Sequence, residues 1–94
     1  MADFTLLFKG AQLIDGSGAA PVVTDVATRG SRIDAIGDLA NENAERVIDA
    51  TGLTLCPGFI DVHSHSDLPL LADPRSEPKI GQGITTELLG ADGL

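Results

Sequence analysis

Two histidines one residue apart, at the end of an apolar strand, constrain the fold of this chain more than any other feature. The segment PGFIDVHSH occupies residues 57–65. Because successive side chains of a strand point to opposite faces, Asp61, His63 and His65 are expected on one face. Apolar residues on both faces are typical of a parallel strand that is covered on both sides. The polar side chains then lie at its carboxyl end, where α/β barrels collect catalytic residues.

The two histidines are the candidate metal ligands. Imidazole binds metals as a neutral donor near physiological pH, and it is the commonest metal ligand in proteins. Side chains that leave the backbone on the same side can share one ion, so a hydrolytic metal centre at His63 and His65 is the leading hypothesis. Taken alone, the pair is equally compatible with two histidines satisfied by hydrogen bonds at a strand end.

Two carboxylates flank the histidines. Asp61 is either a buried carboxylate held by backbone donors or a residue that orients a histidine ligand, the common role of carboxylates behind metal-bound imidazole. Asp67 either caps a turn or helix or forms a polar wall of a substrate pocket. Both are candidate residues for contact with the metal ligands or the substrate.

The part of the chain before residue 58 reads as short strands without a helix. Gly10 is expected to bend the first strand, and the turn at residues 30–31 joins the second and third strands as a hairpin. This pattern predicts a β-sandwich segment over residues 1–57. The predicted strands span residues 4–14, 22–28, 32–37, 46–50 and 53–56.

The remaining residues, 58–94, predict one βαβ unit. A strand from residue 59 is followed by a helix and a second strand at residues 84–89, and two such strands are expected to be parallel. Asp73 is the candidate cap of the helix, with Pro74 at its first position. The predicted fold class is therefore mixed β and α/β.

Composition excludes several classes of protein. The net charge of the 94 residues is −8, which opposes non-specific binding of nucleic acid because that affinity comes from Lys and Arg. No apolar run approaches the ~20 residues that span a bilayer, so no membrane partner is expected. Residues 1–10 show no secretory leader pattern, which predicts a cytoplasmic location. The single cysteine, Cys56, excludes an internal disulfide and is expected in a buried strand.

These motifs, in this order and spacing, resemble the start of enzymes of the amidohydrolase superfamily. Within it, residues 63–67 followed by residues 81–87 and Gly90 are most similar to the N-acyl-D-amino-acid deacylases, or D-aminoacylases. The resemblance implies the N-terminal part of a β-sandwich, followed by the first βαβ unit of a metal-dependent (β/α)8 barrel. It also implies that one or two divalent metals, most often zinc, polarise the amide of an N-acyl amino acid and activate water.

One departure from the family pattern concerns the second strand. D-aminoacylases place a cysteine metal ligand between the glycines that follow it, whereas this chain has Asp92 between Gly90 and Gly93. Asp between glycines is common for turn geometry alone, but the resemblance implies Asp92 as a metal ligand. A carboxylate ligates zinc at ~2.0–2.2 Å, but hard oxygen in place of soft sulfur changes the metal preference. The general base, which the family takes from a late barrel strand, is expected beyond Leu94.

Length and motif also define the alternatives. A (β/α)8 barrel needs about 250 residues, so the chain is expected to be an N-terminal fragment that is inactive alone. Cyclic amidohydrolases of the dihydroorotase and dihydropyrimidinase type share the motif of residues 57–65. The metallo-β-lactamase pattern requires histidine where this chain has Leu68. An alternative of a different class is a non-catalytic β-rich module that self-associates through open strand edges.

Overall fold

The computed structural model describes residues 3–90 and divides the chain into two compact units, Met1–Pro57 and Gly58–Leu94. Within the described residues, the first unit contains β1 Phe4–Leu13, β2 Val22–Arg29, β3 Arg32–Gly37, β4 Ala44–Asp49 and β5 Thr54–Leu55. The second contains β6 Phe59–Ser64, α1 Asp67–Ala72, α2 Glu77–Ile80 and β7 Ile84–Leu89. Residues 3–90 are thus mostly β-sheet with two short helices.

The five strands of the first unit form one sheet around β1. The strand order is β3-β2-β1-β4, and β5 also pairs with β1. β1 is antiparallel to β2 but parallel to β4 and β5. The predicted hairpin of β2 and β3 is confirmed by their antiparallel register. The small core of this sheet is built on Phe4, Leu7 and Ala27.

A bulge interrupts β1 at Gly10. The register against β2 shifts between Phe8 and Ala11, and Gly10 has φ of +71°, a conformation that costs glycine little because it has no Cβ. The Gly10 backbone N–H donates to Asp25 Oδ1 at 2.8 Å. The bend predicted at this glycine is therefore confirmed, and a carboxylate of β2 holds it in place.

Asp25 links three parts of the first unit. Its Oδ2 accepts a hydrogen bond from the Leu39 backbone N–H at 3.0 Å, in addition to the bond from Gly10. The N–H of Leu39, and then that of Gly10, hold the pKa of Asp25 below its ordinary value of 3.8. A depressed folded-state pKa contributes stability above the ordinary value, and this contribution disappears as the pH falls through the folded-state value.

Replacing Asp25 with alanine is expected to lower the free energy of unfolding by about 1–3 kcal/mol near neutral pH, because two backbone donors lose their acceptor. As the pH falls below the ordinary value of 3.8 and then through the lower folded-state pKa of Asp25, the wild-type carboxyl becomes protonated, so the difference should shrink. Urea denaturation of the wild type and the variant, near neutral pH and again at acidic pH, measures this difference in the free energy of unfolding. Asp34→Ala is the control, since Asp34 forms an exposed ion pair with Arg29 at 3.0 Å. A difference that stays constant with pH would contradict this role of Asp25.

In the second unit, β6 and β7 are parallel and are connected through α1 and α2. The predicted parallel pair with a helical connection is therefore confirmed. The pairing of β6 with β7 is irregular, because the register shifts between Phe59 and Ile60 and again between Asp61 and Ser64. Apolar side chains of β6 that were expected to be covered are instead more than half exposed: Phe59, Ile60 and Val62.

Two local predictions were wrong. Asp73 does not begin a helix; it follows α1, and its backbone N–H donates to the Pro69 carbonyl. The cause is Pro74, because a residue before proline is driven out of the helical region, and Asp73 has φ −138° and ψ 89°. Cys56 is exposed rather than buried, since β5 ends at Leu55.

Candidate metal site

The two imidazoles lie side by side at the end of β6. His63 belongs to the strand, whereas β6 ends at Ser64 and His65 follows it. Their ring centroids are 5.3 Å apart and the ring planes are tilted by 51°. Both residues are exposed. The proximity predicted from their spacing is present, and two neighbouring imidazoles are chemically suited to zinc and other divalent transition metals.

The described residues supply a pair of donors rather than a full ligand set. Within residues 3–90, no group of three or more His, Cys, Asp or Glu side chains is placed to hold a metal ion. Asp92, the third ligand that the family resemblance implies, lies outside the described residues. Asp67 begins α1, but its side chain also lies outside what the structure describes. A catalytic zinc site requires about three protein ligands.

Asp61 contacts the histidine segment through the backbone. Its Oδ1 accepts a hydrogen bond from the His63 backbone N–H at 3.2 Å, and its Oδ2 accepts one from the Lys79 ammonium. Lys79 first, and then the His63 N–H, lower the pKa of Asp61 below its ordinary value. The carboxylate is therefore held ionised beside the histidines. Its predicted role in orienting a metal-bound imidazole stays a prediction.

Lys79 joins the two strands of the second unit. Its ammonium pairs with Asp61 of β6 and lies 3.3 Å from Glu87 Oε1 of β7. Asp61 and Glu87 are register partners in the parallel pair, so their like charges face each other across it. The hydrogen bond to Asp61 is the main cause of the raised pKa of Lys79, and Glu87 adds to it.

Glu87 also binds two hydroxyl groups beside the histidines. Its Oε1 lies 3.0 Å from both Ser64 Oγ and Ser66 Oγ, and the two hydroxyl oxygens are 2.7 Å apart. The Ser66 backbone N–H donates to Ser64 Oγ at 3.2 Å. Burial raises the pKa of Glu87, but the hydrogen bonds from Ser66, Ser64 and Lys79 outweigh it, so the net shift is downward.

Sequence reasoning missed Lys79 and Glu87. A signal was available, because Glu87 is a charged residue within the predicted strand ITTELL, just as Asp61 is within FIDVHS. Carboxylates in strands of this kind require a cation or several hydrogen bonds. Residues 58–94 contain only two basic residues, Arg75 and Lys79. Arg75 and Lys79 were therefore the candidate Lys or Arg partners within this segment.

Replacing Lys79 with methionine is expected to lower the melting temperature, because Asp61 and Glu87 then face each other without a counter-charge. Arg75→Met is the matched control: Arg75 also pairs with two carboxylates, but its side chain is 78% exposed and solvent screens such pairs. Thermal melting of both variants, at low and high salt, measures the difference. An equal effect of the two substitutions would contradict a special role for Lys79.

Comparison with known proteins places this chain in a family. The amidohydrolase family matches residues 46–94. The chain is 52% identical over 93 residues to N-acyl-D-aspartate deacylase of Alcaligenes xylosoxydans xylosoxydans. It is 46% identical over 91 residues to D-aminoacylase of the same organism. These alignments cover 99% and 97% of this chain, but 18% and 19% of the two relatives.

A solved structure gives the same result. N-acyl-D-glutamate deacylase from Bordetella bronchiseptica, crystallised with zinc and a phosphonate inhibitor, matches with a TM-score of 0.87 at 40% identity. The match covers 95% of this chain and 19% of that protein. The chain belongs to the amidohydrolase family. Within the family, it is similar to the deacylases of N-acyl-D-amino acids.

None of the helices in residues 3–90 is long and apolar enough to cross a membrane. The cytoplasmic location stays a prediction.

Proposed function

We propose that these 94 residues form the first part of a metal-dependent hydrolase that cleaves the amide bond of N-acyl-D-amino acids. In this proposal residues 1–57 contribute to a β-sandwich, and residues 58–94 begin a (β/α)8 barrel. The observation that carries the proposal is the pair of exposed imidazoles of His63 and His65, 5.3 Å apart at the carboxyl end of a strand with a parallel neighbour. That end of a parallel strand is where barrels of this type place their chemistry.

The residues present are compatible with a divalent metal, most simply zinc. His63 and His65 would hold the ion with neutral nitrogen donors, and Asp92 is the proposed third ligand. A metal bound there supplies Lewis-acid polarisation of the substrate carbonyl and acidifies a water molecule. Asp61 keeps a negative charge beside the histidine segment and fixes the backbone N–H of His63.

The described residues also limit what the chain does alone. Among residues 3–90, a pair of ligands falls short of the three that a catalytic zinc centre uses. We therefore expect the isolated 94 residues to be inactive. Their exposed apolar side chains, among them Val23, Ile33 and Val62, favour self-association of the isolated chain. Sedimentation at micromolar concentration measures this, and a monomer throughout would contradict it.

Deacylation is preferred to the cyclic amidohydrolase reaction because the relatives at 52% and 46% identity are both acylamino-acid deacylases. The test uses the intact protein that contains this chain, before and after removal of metal with a chelator. N-acetyl derivatives of D-aspartate, D-glutamate and D-leucine are compared with dihydroorotate. Metal-dependent release of a D-amino acid is expected. Hydrolysis of dihydroorotate alone, or of none of these compounds, would overturn the proposal.

A further inference from the structure

Glu87 of β7 holds the hydroxyl groups of Ser64 and Ser66, the two neighbours of His65. We infer that it is a positioning residue for both candidate metal ligands, an inference that rests on the proposed metal-dependent function. Through Ser64 and Ser66 it fixes the backbone on both sides of His65. Through Lys79 and Asp61 it is linked to the backbone N–H of His63.

The irregular strand pairing explains why such a residue is needed. β6 ends at Ser64, so His65 lies beyond the ladder of hydrogen bonds that holds the strand. His63 lies within the stretch between Asp61 and Ser64 where the register against β7 shifts. Backbone pairing therefore defines the position of neither histidine as firmly as it does in a regular strand. The side-chain contacts of Glu87 act across this irregular stretch.

Burial supports the same inference. Ser64 is 5% exposed and the side chain of Glu87 is 10% exposed, whereas both histidines are exposed. The hydrogen bonds of Glu87 are thus largely shielded from solvent, although the neighbouring imidazoles are exposed. Buried hydrogen bonds to a charged acceptor are stronger and more directional than exposed ones. They restrict the backbone of His65 without occupying the ring nitrogens that a metal would use.

The chemistry of the acceptor favours a carboxylate over an amide. Two hydroxyl groups and an ammonium converge on Glu87 Oε1, and a carboxylate accepts from all three while balancing the charge of Lys79. Glutamine at this position has one acceptor oxygen and a donor NH2 group. A glutamine would therefore leave Asp61 as the remaining carboxylate paired with Lys79. It would also weaken the hydrogen bonds to Ser64 and Ser66.

The expected effect follows from the precision that metal sites require. Ligands must be held to within about 0.5 Å of their productive positions. Loss of a group that orients a ligand typically lowers metal affinity by about 10–100-fold. We expect Glu87→Gln to lower the affinity for Co²⁺ by about this factor and to change the visible absorption of the bound ion, which reports ligand geometry.

The experiment titrates Co²⁺ into the intact protein that contains this chain and records both affinity and visible spectrum. Glu77→Gln is the matched control, because it removes the same charge from a side chain that is 66% exposed and pairs with Arg75 at 3.2 Å. The control should bind Co²⁺ as the wild type does. Ser64→Ala removes only the hydroxyl that Glu87 holds, so it tests the inference even if Glu87→Gln fails to fold.

The double variant, Glu87→Gln with Ser64→Ala, should bind Co²⁺ about as well as Glu87→Gln alone. The reason is that both substitutions act on the same hydrogen bond, the one between Glu87 and Ser64. If the wild type binds Co²⁺ and both single variants match its affinity and spectrum, the inference is overturned and the proposed function stands. If the wild type binds no divalent metal, both fall together. Thermal melting of each variant separates loss of positioning from loss of fold.

Discussion

His63→Asn and His65→Asn are each expected to lower the affinity of the intact protein for zinc by more than 100-fold, and to abolish metal-dependent hydrolysis with it. The reason is that each substitution removes a proposed ligand, whereas changes to groups behind a ligand cost only about 10–100-fold. Both rings extend from one strand end with centroids 5.3 Å apart, so neither is expected to compensate for the other. Competition with a chromophoric chelator measures the affinity.

Cys56→Ser is the control for these variants. Cys56 is the only thiol of the chain and is exposed, so it is the most plausible site of adventitious zinc binding. The serine variant should retain wild-type affinity. Tight zinc binding that survives the loss of either histidine but disappears with Cys56 would contradict the assignment of the metal site.

Gly58→Ala is expected to be the most destabilising single methyl addition in the second unit. A Cβ at Gly58 would lie 2.1 Å from Thr85 Oγ1 and 2.5 Å from Thr85 Cγ2, well inside contact distance. Inserting atoms into such a space forces backbone shifts, and we expect the free energy of unfolding to fall by about 3 kcal/mol. Chemical denaturation of the intact protein measures it.

Two further variants separate this steric effect from other effects of replacing glycine. In Gly58→Ala with Thr85→Ala, the two nearest atoms are removed, so the double variant should be more stable than the sum of the single effects predicts. Gly52→Ala has no atom within 4 Å of the added Cβ but adopts φ of +79°. It should cost only about 1 kcal/mol, the penalty for a left-handed backbone conformation. Strict additivity at Gly58 and Thr85 would argue against the predicted clash.

Sequence patterns predicted the features that depend on backbone geometry. The proximity of His63 and His65 follows from the period of two in a strand, which holds whatever lies nearby. The bend at Gly10 follows from the conformational freedom of a glycine within a strand. The parallel pairing of β6 and β7 follows from the helical connection between them.

Features that depend on partners from different elements were not predictable in the same way. The convergence of Lys79, Asp61 and Glu87 requires the register of β6 against β7 and the position of α2, and a shift of one residue would separate them. The start of the second helix depends on the different effects of two prolines. Pro74 excludes a helical Asp73, whereas Pro78 is accepted in the first turn of α2.

The position of β1 at the centre of the first sheet has a consequence for the order of folding. On one edge, β1 pairs with β2, which follows it after a short connection. On its other edge, β1 pairs with β4, which lies far along the chain: Phe4 is opposite Ala44 and Lys9 is opposite Asp49. Closing longer loops costs more chain entropy, and contacts between distant residues form more slowly. We therefore expect the β1–β3 meander to form first, and β4 to dock only after the ribosome has released residues 44–49.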